Sequence, residues 1–176
     1  MTLIGDRRTF AFETSLCVDH APAQFLTVDI FAAGKLLTVR DNAAYVPQFA
    51  GDLDAEQNHR RHDLTWLQHR NDLADLNLTQ AHLHLAKTEG WLKFTNWGPT
   101  TDDISCHLIV LQNSLWITAF LYSENPDYEK NDPVVHGCRV SPFDLLSTLA
   151  AQALLMRQMA DNHAVHRSDG SVSPDG

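Results

Sequence analysis

Two apolar runs joined by three polar residues set the tightest constraint on how this chain folds. Residues 104–111 and 115–122 are rich in Ile, Val, Leu and aromatic side chains and flank Gln112-Asn113-Ser114, the pattern of a β-hairpin. The preceding Trp97-Gly98-Pro99-Thr100-Thr101-Asp102-Asp103 reads as a turn. Gly98 tolerates positive φ, Pro99 fixes its own φ, and Thr and Asp side chains bond nearby backbone. In the first run Ile104, Cys106, Leu108 and Val110 share one face, and Ser105, His107, Ile109 and Leu111 the other. In the second, Leu115, Ile117, Ala119 and Leu121 alternate with Trp116, Thr118, Phe120 and Tyr122. Neither run has the polar side of a half-wet sheet. One face must meet the core; the other is either covered by a helix or used for binding.

The rest of the chain supplies more strands and at least two helices. Residues 9–18 predict a first strand, with Phe10, Phe12, Thr14 and Leu16 on one face. Residues 25–31 and 36–40 predict two more around Ala33-Gly34, paired antiparallel because the turn is short. Residues 41–51 contain Pro47 and lack a period, which predicts a loop. Residues 54–70 predict a helix, with Leu64, Trp66 and Leu67 as an apolar cluster, and 72–78 a short turn. In 79–88, Leu83 and Leu85 alternate with His82 and His84, which favours a strand; Thr79 capping a short helix is the competing reading. Residues 91–97 and 134–140 predict further short strands, and 123–133 a loop. Ser141, Pro142 and Asp144 then open a helix: a cap, a first-turn proline and an acid three residues past the cap. Phe143, Leu146, Leu149, Ala153 and Met156 recur at helical spacing, so this helix belongs against a sheet. The expected architecture is α+β: an antiparallel β-sheet packed by a C-terminal helix, with a helical insertion after the first three strands. Residues 1–162 are expected to form a single domain and 163–176 a mobile tail.

Charge narrows the function. The formal net charge is -9 over 176 residues, which argues against binding nucleic acid through a general basic surface and permits a basic protein partner. No apolar stretch is long enough to span a membrane, and residues 1–12 lack the apolar core of a secretory signal, so a cytoplasmic setting is expected. Cys17, Cys106 and Cys138 lack metal or redox spacing and lie in or beside apolar runs, as free thiols do; a disulfide for one pair is the alternative. His59 and His62 can share a helix face, but Arg60 and Arg61 between them disfavour a cation. His82, His84 and His107 meet only if their strands are neighbours. No nucleophile elbow or phosphate-binding glycine loop is present, and Cys106 and His107 point to opposite faces of a strand. No catalytic residue, metal site or cofactor is therefore expected. The acidic residues fall in clusters read as loops: Asp52, Asp54 and Glu56; Asp102 and Asp103; Glu124, Asp127 and Glu129. They are either a solvated surface or a patch that steers a basic partner. Trp97, Trp116 and Tyr122 are either its aromatic anchors or core residues.

Two short motifs add a resemblance. Trp97-Gly98-Pro99-Thr100-Thr101-Asp102 ahead of an apolar hairpin, and Gly5-Asp6-Arg7-Arg8-Thr9-Phe10-Ala11 near the N-terminus, resemble bacterial immunity proteins of polymorphic toxin systems, including contact-dependent and type VI effector systems. The strand-then-helix over 134–159 fits as well, and the likeness covers about two-thirds of the chain. Residues 41–78 depart from it. The resemblance implies a non-enzymatic cytoplasmic protein that binds and neutralises a cognate toxin. Two other readings are a metal-dependent hydrolase using the histidines and a chaperone or adaptor for a secreted effector.

Overall fold

The computed structural model describes residues 1–17, 24–39, 41–88, 94–97, 101, 103–125 and 133–169, except the side chains of 123 and 163–169. Its first sheet is antiparallel and built from β1 (Thr2–Asp6), β2 (Phe10–Leu16), β3 (Phe25–Ala32), β4 (Lys35–Leu36) and β5 (Ala43–Tyr45). The order is β1-β2-β3-β4, and β5 also pairs with β3. Five strands stand where three were expected. β1 was hidden because Gly5 interrupts its pattern; it folds onto β2 through Arg7-Arg8-Thr9, with Asp6 opposite Phe10. The Asp6 carboxylate accepts the Arg8 backbone N–H at 2.9 Å, so the Gly5–Ala11 motif is a hairpin.

The second sheet, β6 (Ile104–Leu111), β7 (Ser114–Leu121) and β8 (His136–Arg139), holds the expected hairpin. Leu111 pairs with Ser114, leaving a two-residue turn in which Gln112 and Asn113 have φ of 50° and 58°. Both central residues are left-handed, as the right-handed twist of the flanking strands requires. The described residues thus form two antiparallel sheets rather than the single one expected.

Helices α1 (Val46–His62), α2 (Leu78–Thr88) and α3 (Pro142–Asp169) complete the α+β fold. Helix α1 starts where a loop was expected, because Pro47 lies in its first turn, where a missing N–H costs nothing. It buries Val46, Phe49, Ala50, Leu53 and Gln57, and the Gln57 side chain donates to the Leu146 carbonyl of α3 at 2.9 Å. It ends at His62, short of the expected Arg70, and a 3-10 turn over Leu64–Leu67 follows. Residues 79–88 are helical, not a strand. Ala81, His82 and Leu85 share the buried face of α2, and the alternating leucines and histidines gave a misleading period of two. Helix α3 begins as expected, with the Ser141 hydroxyl accepting the Asp144 N–H, but continues past Ala160 to Asp169.

The main core lies between the sheets, α1 and α3. Phe10, Phe12, Phe49, Phe94 and Trp97 pack there edge-on or tilted, with centroids 5.1–6.4 Å apart. Leu145, Leu149, Ala153 and Met156 seal it from α3. A second, smaller cluster answers the question left by the two-sided hairpin. Ile109 and Leu111, on the other face of β6, are covered by Leu73, Ala81 and Leu85, so a helix occupies that face.

Candidate partner-binding surface

The acidic residues named from sequence are placed on separate elements. Asp52, Asp54 and Glu56 are not in a loop; they lie on α1. Asp54 pairs with Arg157 of α3, and Glu56 pairs with Arg60 one turn on at 2.6 Å. Partial burial pushes the Asp52 carboxyl above its ordinary range. At the open end of the β6–β7 hairpin, the Tyr122 N–H donates to the Asp103 carbonyl at 3.3 Å. Next to it Glu124 meets His136 at 2.8 Å and Lys35 at 3.2 Å. The His136 hydrogen bond, with Lys35 behind it, holds the Glu124 carboxyl below its ordinary range. Asp102, Asp127 and Glu129 lie outside the described residues.

The aromatic residues divide. Trp97 is 2% exposed and belongs to the core, its backbone N–H donating to the Thr101 hydroxyl within the motif that carried the resemblance. Trp116 is half-buried on β7, with the Arg139 guanidinium 5.3 Å from its ring centroid. Tyr122 is exposed and edge-on to Phe120.

Two features took the tertiary structure to define. The first is a buried imidazole pair, His82 on α2 and His107 on β6, with ring centroids 4.9 Å apart. They meet because 79–88 is a helix laid over β6. His84 is directed elsewhere, 3.3 Å from Asp72. Among the described residues no three His, Cys, Asp or Glu side chains converge as metal ligands. None of the three cysteines is in a disulfide; Cys106 is buried, and Cys17 and Cys138 are partly so.

The second feature is a groove of about 590 Å³ between the last turn of α1, the segment through Arg70 and the outer side of β6. Trp66 stands in its wall and donates its indole N–H to the Arg60 carbonyl at 2.9 Å. The Arg60 guanidinium lies 5.4 Å from the Trp66 centroid and 5.7 Å from that of Phe94. A comparable cleft of about 640 Å³ separates β1 from the first turns of α3. Among the described residues no helix is long and apolar enough to cross a membrane.

Neither a family model nor a curated protein matches the chain. The fold, two antiparallel sheets closed by a C-terminal helix, is found in a solved immunity protein of contact-dependent inhibition. That protein is CdiI from Burkholderia dolosa AUO158; the likeness covers 86% of this chain and 99% of that one, with a TM-score of 0.57. Sequence identity is 12%, so what the two share is the fold. The neighbour is of the class that the Trp97 and Gly5 motifs resemble.

Proposed function

We propose that this chain is an immunity protein that binds a cognate bacterial toxin in the cytoplasm and neutralises it by occupying its surface, without catalysis. The observation that carries the reading is the fold shared with CdiI over 86% of this chain and 99% of that one. The two sequence motifs agree with it, since both build this fold: one forms the β1–β2 turn and Trp97 of the other lies in the core. The net charge of -9 favours a basic toxin, since long-range attraction raises the rate of encounter. Asp103 and Glu124 at the hairpin's open end, and Asp52 on α1, are among the partly or fully exposed carboxylates that contribute to that field.

Co-expression tests the reading. The toxin domain encoded beside this gene should arrest cells alone and spare them when this chain is present, and the purified pair should form a one-to-one complex. An effector adaptor would bind its partner without rescuing cells from its activity. Toxicity that persists at equal expression of both proteins sinks the immunity reading.

A further inference from the structure

Helix α2 covers only part of the outer face of the second sheet, and two cross-strand rows show where the cover stops. In the first row His107, Thr118 and Gly137 lie side by side on β6, β7 and β8. His82 of α2 hydrogen-bonds Thr118, and α2 begins so close to β8 that a Cβ on Gly137 would lie 2.3 Å from the Leu78 Cδ2. In the next row on this face, cover is lost step by step. Ile109 is buried, Trp116 is half-buried, and Arg139 is exposed on the edge strand. The Arg139 guanidinium lies over the Trp116 ring, 5.3 Å from its centroid, while Leu76, Leu78 and Trp116 pack against the second cluster.

Arg139 is uncommitted. Arg7, Arg8, Arg60, Arg70 and Arg157 each hold one of the chain's own carboxylates. Among the described residues Arg61 and Arg139 hold none, and of these two only Arg139 is fixed against a ring. Asp6 and Asp144 share a cleft with Arg139, but Asp6 is paired with Arg8 and Asp144 forms no ion pair with Arg139. The Trp116 indole N–H has no acceptor among the described residues either. A guanidinium laid on an aromatic face keeps its in-plane N–H groups free. The pair therefore presents donors and one positive charge, preorganised on hydrogen-bonded strands and flanked by leucines. What answers it is an acceptor that carries negative charge. A nucleic-acid phosphate backbone needs a broad basic surface, and this chain carries a net charge of -9. A carboxylate needs a single guanidinium, which binds both its oxygens. We propose that Trp116 and Arg139 form a binding hot spot that receives one Asp or Glu side chain of the toxin. The proposal rests on the immunity reading and names the surface that does the binding. It is compatible with a toxin that is basic overall, because net charge steers at long range while Arg139 acts on contact.

The probe is the toxin domain encoded by the adjacent gene, carried with its activity disabled, titrated against the full chain. Arg139→Glu sets like charge against the incoming carboxylate and should weaken binding about 100-fold or more. Arg139→Gln, which removes the charge alone, should weaken it about tenfold or more. Arg61→Glu makes the same charge change on α1 and should alter binding by no more than about threefold. One Asp→Lys or Glu→Lys change in the toxin should restore binding to Arg139→Glu, which identifies the carboxylate. In the wild-type complex the Trp116 indole N–H resonance, assigned with Trp116→Phe, should shift while that of buried Trp97 stays in place. That readout does not depend on how the Arg139 variants fold. If Arg139→Glu binds within threefold of wild type, if no charge swap in the toxin restores it, or if the Trp116 resonance is unmoved while wild type still rescues cells, the hot-spot proposal is overturned and the immunity reading stands. If wild type neither binds the toxin nor rescues cells, both fall together.

Discussion

Acid should loosen this fold through His82, and the structure gives the size of the effect. The ring is fully buried between α2 and the second sheet. Thr118 spends its only hydroxyl hydrogen on the His107 carbonyl at 3.1 Å, so the His82 Nδ1–H must be the donor in the 2.8 Å contact with the Thr118 oxygen. That fixes the tautomer and leaves Nε2 a lone pair with no partner among the described residues. A proton there would be buried without an acceptor, beside the His107 ring. Burial first, then His107, pushes His82 down to about 3 from an ordinary value of 6.5. Because the folded value is the lower one, the unfolded chain binds the extra proton. Stability is therefore complete above about pH 6.5 and is lost as pH falls toward 3. At pH 4.5, two units below 6.5, the loss is about 3 kcal/mol. That is a large part of the roughly 5–15 kcal/mol typical of a domain. Urea denaturation at pH 7 and 4.5 measures it, with His82→Met as the comparison: similar in bulk and unable to titrate. Every other histidine is common to both proteins, so the difference in acid loss belongs to His82. Wild type should lose about 2–3 kcal/mol more than the variant over this range. Equal losses would refute the argument.

Other expectations follow from packing and charge. Leu149, fully buried on the inner face of α3, should cost about 2–5 kcal/mol when changed to Ala, whereas exposed Gln158→Ala should stay within about 0.5 kcal/mol; equal denaturation midpoints would refute the docking of α3. Gly5 has φ of +92°, and a Cβ there would lie 2.3 Å from the Phe10 carbonyl oxygen. Gly5→Ala should therefore destabilise by on the order of 2 kcal/mol, seen as a lower thermal midpoint. Replacing Asp52, Asp54 and Glu56 with Asn, Asn and Gln changes the net charge from -9 to -6, three carboxylates fewer. Association with a basic toxin should slow and depend less on salt, by stopped flow, even though Asp54 and Glu56 are paired internally, because long-range steering follows net charge. An unchanged rate and salt slope would clear α1 of any steering role.

Local pattern alone decided the β6–β7 hairpin and the start of α3. In each, the signal lies within a few residues: apolar runs around a short polar link, or a cap, a proline and an apolar stripe. The α+β class followed from those, and so did the likeness to immunity proteins, since Gly5 and Trp97 sit in motifs whose spacing is set by a tight turn and a core site. The first misreadings came from local signals with two meanings. Pro47 breaks a helix interior but opens a first turn, and only the packing of Phe49 and Leu53 into the core says which applies. Leucine–histidine alternation over 82–85 fits a strand or a half-buried helix, and what decides is that Ala81 and Leu85 have β6 to cover. The site was less legible still, because its parts are distant in sequence. Arg157 neutralises Asp54 across 103 residues, and His82 meets Thr118 across 36. The groove exists only because the end of α1 is held beside β6. Hydrophobic period is a property of neighbours along the chain, whereas charge pairing, burial of an imidazole and the shape of a groove depend on which elements dock, and that only the tertiary structure decided.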